Sequence, residues 1–161
     1  MLDRDGFEAV KEAAKEVKES NSKNGSTPRC SDRDVSTRTL HVRYIVAGNP
    51  NTPKEVLAKL ANDTLENIRR RVAENPRTPI TALVQMARDP SVEVRLSVAE
   101  NANTPAEVLE QLAQDDDLDV RYGVAENPHI PAEILIRLAE DDNPYVACRA
   151  QKTLSILQAV V

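Results

Sequence analysis

The sequence contains few aromatic residues and little cysteine. Its 161 residues include one phenylalanine, three tyrosines and no tryptophan, so a hydrophobic core has to be aliphatic. The chain is about one domain long, which is enough to bury a continuous core. The two cysteines, Cys30 and Cys148, cannot build a disulfide framework, and this low content is typical of proteins in a reducing compartment.

Long apolar runs are also lacking. No uninterrupted stretch of about 18 apolar residues occurs, so we expect no transmembrane helix. The first ten residues, MLDRDGFEAV, lack the apolar region of a secretory signal. The formal net charge of -5 disfavours binding to nucleic acid, because neutralising phosphates requires Lys and Arg. Together these features predict a soluble protein located in the cytoplasm.

What the sequence does contain is a repeat with a period of 26 residues. The string VAGNPNTPKEVLAKLANDTLENIRRR, residues 46–71, returns with small changes at residues 72–97, 98–123 and 124–149. A fixed period of this size is typical of a stacked repeat array. A half repeat at residues 36–45 precedes the four units, and a C-terminal capping helix is predicted to extend to residue 161. The predicted repeat domain is therefore 36–161.

Each unit is predicted to fold as two helices. The first begins at a Thr-Pro pair such as Thr52-Pro53, because threonine can accept a bond from a free amide and proline suits the first helical turn. In the fourth unit Ile130-Pro131 takes this place and lacks the cap oxygen. Apolar residues then follow at i, i+1, i+4 and i+5, which gives one buried face. The second helix is predicted to be shorter, and short enough to be in part 3₁₀. Because no unit can bury its apolar face alone, the units must stack. The leucines expected in the core are Leu57, Leu83, Leu109 and Leu135.

The residues before the array divide into two segments. Residues 1–19 are predicted to form an amphipathic helix, with Phe7 and Val10 on its apolar stripe. Residues 20–35 are polar and contain a glycine and a proline, which predicts a flexible linker. The N-terminal helix either caps the end of the array, which needs a wettable outer face, or it is a separate partner-binding helix.

The recurring pattern V-A-E-N-P-x-T-P…L-x-x-L-A-x-D…V-R resembles the leucine-rich repeat variant family of bacterial proteins. The resemblance covers roughly residues 37–149. It implies an all-α, right-handed α-solenoid (superhelix) in which α-helices alternate with 3₁₀ helices, related more distantly to HEAT-like repeats. One described member holds an iron–sulfur cluster in a cysteine-rich N-terminal segment. Only Cys30 precedes the repeats in this sequence, and such a cluster usually needs four thiolates, so no cofactor is expected.

Two polar side chains recur in columns down the array. An arginine row can hold anionic ligands, because the guanidinium is a good bidentate donor. Each arginine, however, recurs together with an aspartate and often a glutamate, which favours internal pairing. The asparagines are predicted to bond backbone groups in the turn before each first helix. The columns are Arg43, Arg69, Arg95 and Arg121, and Asn49, Asn75, Asn101 and Asn127.

The variable positions are the better candidates for a partner surface. Tyrosine and arginine are frequent interface anchors, and exposed apolar patches often mark binding sites. The alternative is half-buried packing against the adjacent connection. The candidate residues are Tyr44, Arg70, Leu96 and Tyr122 on the second helices, and Ile80, Val84 and Ile136 on the first helices.

No motif in the sequence predicts catalysis. The acidic run Asp115, Asp116, Asp117 and Asp119 could attract a divalent cation, but its spacing matches no EF-hand loop and aspartate is common at helix N-termini. No metal site is therefore predicted. The two histidines have no partner at a defined spacing, and neither G-x-x-x-x-G-K nor G-x-G-x-x-G occurs. We expect no enzyme activity and no catalytic residue.

The predicted function is that of a non-catalytic repeat scaffold that mediates protein–protein interaction through an extended solenoid surface. Its partner would be another protein, and the sequence leaves the oligomeric state open. The alternative is a nucleic-acid-binding or DNA-repair-associated HEAT-like solenoid. That alternative would use an arginine-rich groove made by Arg69, Arg70 and Arg71.

Overall fold

A computed structural model describes residues 32–127 and 129–159, and the regular structure in these residues is helical throughout. No strand occurs among them, so the all-α prediction is confirmed. The helices are α1 (Asp32–Gly48), α2 (Lys54–Leu60), α3 (Glu66–Ala73), α4 (Ile80–Met86), α5 (Val92–Glu100), α6 (Ala106–Leu112), α7 (Leu118–Glu126), α8 (Ala132–Leu138) and α9 (Pro144–Ala159).

Helix α1 begins at Asp32, inside the range predicted as a linker. It runs through the predicted half repeat and ends at Gly48. The amphipathic helix predicted at residues 1–19, and the linker up to residue 31, lie outside the described residues.

The two helices of a unit differ in length in the opposite sense to the prediction. The first helices, α2, α4, α6 and α8, have 7 residues each, whereas α3 has 8 and α5 has 9. The second helices are also α-helical, so the predicted 3₁₀ content was wrong for the described residues. The physical reason is that a proline fixes the start of each first helix and i→i+3 bonds such as Asp63 N–H to Leu60 carbonyl tighten its end. The second helices α3, α5 and α7 continue up to the turn that carries the next proline.

In the first three units a threonine precedes the first helix, but it does not cap that helix. Pro53 occupies the cap position of α2, without a side-chain hydrogen bond to the helix. The buried Thr52 hydroxyl instead donates to the Val46 carbonyl in α1, at 2.6 Å. Thr104 makes the equivalent bond to Val98, at 2.6 Å. The Thr-Pro pair therefore fixes the turn that precedes the first helix rather than the N-terminus of that helix.

The core is aliphatic and follows the repeat. The four predicted leucines, Leu57, Leu83, Leu109 and Leu135, are each 0% exposed, and so are the second-helix valines Val94, Val98, Val120 and Val124. Val56 departs from the pattern, since it is 36% exposed while its counterparts in later units are buried. Within the described residues α2 has a first-helix neighbour, α4, on one side only, which leaves Val56 partly in solvent.

The units stack in register. The second helices pack side by side in the order α3, α5, α7, α9, and each also contacts the first helix of its own unit. Helix α9 extends beyond the length of the other second helices, and its Leu154 packs against the core while Ile156 remains exposed. In the part of the chain that the structure describes, no helix is both long enough and apolar enough to cross a membrane.

Candidate functional site

The recurring arginines join neighbouring units. Arg95 on α5 donates from Nε and Nη2 to both carboxylate oxygens of Asp115 in the next unit, at 2.7 and 2.9 Å. Its Nη1 donates to the backbone carbonyl of Asp89, at 2.9 Å. Bidentate pairs of this kind fix orientation as well as distance. The equivalent pairs are Arg69 with Asp89, Arg121 with Asp141, and a single bond from Arg43 to Asp63.

Three aspartates of these pairs, Asp89, Asp115 and Asp141, have a pKa that is lowered from its usual value. Burial alone would raise the pKa of Asp115, but hydrogen bonds from Arg95 and from the Asp117 amide outweigh it and hold the pKa below its usual range. The pKa of Asp89 is lowered by the same balance. At Asp141 the bond from Arg121 is the largest effect, and it lowers the pKa against the effect of burial. The arginine column is thus used within the array, as the internal-pairing interpretation predicted.

The asparagine column also bonds between units. We call this series of bonds and the series of arginine–aspartate pairs the two ladders. The Asn101 side chain is buried, and its Nδ2 donates to the carbonyls of Ala73 and Asn75 in the preceding unit, at 2.6 and 3.2 Å. Its Oδ1 accepts from the Asn103 amide in the local turn, at 2.9 Å. The sequence predicted the turn bond but not the two bonds to the preceding unit. Asn75 and Asn127 bond in the same way.

Residues 92–117 contain one copy of each ladder residue, namely Arg95, Asn101 and Asp115. This segment matches the family model described as leucine rich repeat variant. The match covers residues 92–117 of the 161-residue chain. The resemblance drawn from the sequence is thereby confirmed, and the equivalent bonds in neighbouring units make the array a helical repeat protein. A comparison with curated proteins found no match.

Acidic side chains pair with the arginine cluster of the first whole unit, residues 46–71. Arg69 is held by Asp89. Arg71 lies 2.9 Å from a Glu74 carboxylate oxygen, and Arg70 lies 3.4 Å from Glu74 and 3.8 Å from Glu93. The three arginines proposed for a nucleic-acid groove therefore do not form an uncompensated basic surface.

The column of Tyr44, Arg70, Leu96 and Tyr122 is half-buried, and its two tyrosines and Leu96 pack against the core. The Arg71 guanidinium lies over the Tyr44 ring, 5.5 Å from its centroid. Leu96 lies over Gly123 of the next unit, where an added Cβ would come within 2.5 Å of Leu96 Cδ1. This packing agrees with the alternative prediction that these residues are half-buried between neighbouring segments. That they also bind a partner stays a prediction.

The outer sides of α2, α4, α6 and α8 form what we call the first-helix face. Ile80 and Val84 on α4 are 57% and 44% exposed, and Ile136 on α8 is 57% exposed. Other units have small or charged residues at these positions, including Lys54, Ala106 and Glu110. The three large side chains thus lie in solvent at positions where the residue type varies from unit to unit.

A third column, Glu74, Glu100 and Glu126, lies at the C-terminal ends of the second helices. Glu126 is paired with Arg149, at 3.3 Å, and Glu74 is paired with Arg71. Among the described side chains no cation pairs with Glu100, because Gly123 stands where Arg149 stands one unit later. Burial raises the pKa of Glu100, and the carboxylates of Glu126, Glu74 and Glu93 raise it further.

The acidic run after α6 is also used locally. The Asp117 carboxylate accepts from the Asp119 amide and begins α7, while Asp115 accepts from the Asp117 amide. Within residues 32–127 and 129–159 no group of three or more His, Cys, Asp or Glu side chains is arranged to hold a metal ion. Two shallow surface depressions include Arg95, Asp115 and Asp141 in their lining, and these three side chains are already paired between units.

Proposed function

We propose that this protein is a non-catalytic scaffold that binds another protein through the extended surface of its repeats. The observation that carries the proposal is the exposure of Ile80, Val84 and Ile136 on the first-helix face. Large apolar side chains in solvent contribute binding energy when a partner removes them from water. The proposal includes a cytoplasmic location, which the low cysteine content supports.

The recurring columns and the variable positions have different roles, and this difference supports a binding function. The recurring arginines, aspartates and asparagines are bonded between units, so they hold consecutive repeats in register. A surface built on such rigid helices loses little conformational entropy when it binds. Specificity would then come from the variable positions, as it does in other solenoids.

A nucleic-acid partner has less support. Arg69, Arg70 and Arg71 each lie beside an acid, so phosphate binding would have to break existing ion pairs. The wider sequence is acidic, and a polyanion would be repelled by it.

Affinity capture with two surface variants tests the proposal. The immobilised wild-type chain is compared with Ile80→Ser/Ile136→Ser, which alters the first-helix face. It is also compared with Tyr44→Ala/Leu96→Ala/Tyr122→Ala, which alters the half-buried column. We expect a cell extract to yield a protein that the wild type and the triple variant retain and the first-helix variant loses.

Circular dichroism is the control for folding, since the triple variant removes side chains that pack against the core. Capture that is the same for all three proteins would exclude both surfaces. Loss with the triple variant alone, in a chain that still folds, would move the binding surface to the second helices.

A further inference from the structure

Two of the three junctions at which consecutive second helices pack side by side carry an arginine beside a glutamate. At the junction of α3 and α5, Arg70 lies 3.4 Å from Glu74 at the end of its own helix and 3.8 Å from Glu93 on α5. At the junction of α7 and α9, Arg149 of α9 lies 3.3 Å from Glu126 of α7. A guanidinium is thus the group with which the array itself neutralises this side of the second helices.

The middle junction, between α5 and α7, has neither arginine. Leu96 occupies the position that is one repeat after Arg70. Gly123 occupies the position that is one repeat before Arg149. The carboxylate is nevertheless present, because Glu100 Cγ lies 3.6 Å from the place that a Cβ of residue 123 would take. The middle junction therefore has the acid of the repeat and lacks its cation.

The surroundings of this junction are acidic. The two arginines of these helices, Arg95 and Arg121, are held by aspartates of the ladder. Burial raises the pKa of Glu100, and nearby carboxylates raise it further, with Glu126 the largest of these effects. Because like charges disfavour the ionised form, a positive charge at this place would stabilise the Glu100 carboxylate. The exposed charged side chains of α5 and α7 are Glu93, Glu100, Asp119 and Glu126.

From this arrangement we propose that the junction of α5 and α7 binds an arginine side chain of a partner protein, which pairs with Glu100 as Arg149 pairs with Glu126. The planar guanidinium can donate to both carboxylate oxygens, and its methylene stem can lie against the half-buried Leu96. An exposed ion pair contributes little free energy by itself. The arginine therefore fixes where the partner sits, and other contacts supply most of the affinity.

Titration of the full chain with a blocked peptide of three arginines at low salt is the first test. Backbone amide shifts in NMR spectra of the isotope-labelled protein give the binding site and the dissociation constant. We expect the largest shifts at Glu100 and Gly123. Glu100→Gln weakens binding by about threefold or more, since it removes the carboxylate and keeps the shape of the side chain.

Glu107→Gln is the matched control, because it makes the same change at an exposed glutamate of α6, on the first-helix face. It binds the peptide as the wild type does. Equal weakening by Glu107→Gln and Glu100→Gln would mean that the peptide responds only to net charge, which overturns the proposal. A blocked peptide of three lysines that binds as tightly as the arginine peptide overturns the preference for a guanidinium.

Gly123→Arg supplies the missing cation within the chain. The added Cβ meets Leu96 Cδ1, the end of a flexible side chain that can turn away. We expect this variant to lower the pKa of Glu100, followed by carboxyl carbon NMR, and to weaken binding of the arginine peptide by about threefold or more. Gly123→Ala adds the Cβ without the charge and leaves both unchanged. A folded Gly123→Arg that binds the peptide as the wild type does contradicts the site.

This site lies on the second helices, so it is separate from the first-helix face of the proposed function. Ile80→Ser/Ile136→Ser should bind the arginine peptide as the wild type does. If that variant retains the captured protein while Glu100→Gln weakens peptide binding, the proposed function fails and the arginine site stands. The opposite pair of results removes the arginine site alone.

Discussion

At the scale of single residues, the array is stabilised by side chains that form hydrogen bonds both within their own unit and to a neighbouring unit. The Asn101 side chain accepts a hydrogen bond within its own turn and donates to carbonyls of the preceding unit. The Arg95 side chain donates to the Asp115 carboxylate of the next unit and to the Asp89 carbonyl of its own unit. Buried carbonyls need partners, because leaving one without a hydrogen bond costs free energy. One side chain therefore supports both the local turn and the register between units.

Replacing Asn101 with alanine tests this double role. Asn101→Ala removes three hydrogen bonds and leaves the carbonyls of Ala73 and Asn75 with fewer donors, so we expect the free energy of unfolding to fall by about 3 kcal/mol. Asn49→Ala is the control in the same column. Asn49 is exposed and its Oδ1 accepts from the Asn51 amide, so its loss should cost less than about 1 kcal/mol. Urea unfolding followed by circular dichroism measures both, and equal losses would contradict the ladder.

The lowered pKa values of Asp89, Asp115 and Asp141 predict a pH dependence. A carboxyl whose pKa is lower in the folded than in the unfolded state stabilises the fold above its unfolded pKa, about 3.9. That contribution is lost as the pH falls through the folded pKa. These groups should therefore change the free energy of unfolding little between neutral pH and about pH 5. At pH values below about 4 the free energy of unfolding should decrease.

Asp115→Asn isolates one of these groups. It should lower the free energy of unfolding by about 2 kcal/mol at neutral pH, since it weakens a charge-assisted pair. The difference from wild type should shrink as the pH falls, because the wild-type carboxyl is protonated there. Asp116→Asn, at an exposed neighbouring position, is expected to leave both the stability and the pH profile unchanged. A constant difference at every pH would contradict the assignment.

At the scale of helices, close contact between units depends on small residues. Gly123 lies inside α7, where glycine costs about 1 kcal/mol relative to alanine. The structure accounts for this cost, because Leu96 on α5 occupies the space that a Cβ would take. The same contact makes Leu96 half-buried, so one helix contact explains both an unfavourable helix residue and a partly covered leucine.

A double-mutant cycle measures this contact. In a Leu96→Ala background, Gly123→Ala should stabilise the fold by about 1 kcal/mol, because only the helix propensity changes. In the wild-type background the gain should be smaller or absent, since the new methyl group displaces the leucine. Thermal unfolding of the four proteins gives the coupling. Equal effects of Gly123→Ala in both backgrounds would show that the two residues are independent.

At the scale of the whole array, the ladders end where the last unit replaces their residues. The position after Arg121 in the arginine column is Ala147, and alanine forms no ion pair with an aspartate. The asparagine column ends at Thr153, whose hydroxyl donates to the Ala125 carbonyl at 2.8 Å. Stacked units of this kind are stabilised mainly by their neighbours. The ladder residues are therefore used within the array, and the proposed binding surface is the outer side of the first helices.

The sequence by itself determined the period, the helical pairs and the buried leucines, because hydrophobic spacing at a fixed repeat leaves no other way to shield Leu57, Leu83, Leu109 and Leu135 from water. It also indicated that the arginines pair internally. It did not determine that Thr52 donates backwards to Val46, that Asn101 reaches the preceding unit, or that Leu96 covers Gly123. A repeat pattern shows which residues are equivalent, but the direction of each side chain across two units depends on how those units pack, and only the tertiary structure decides that.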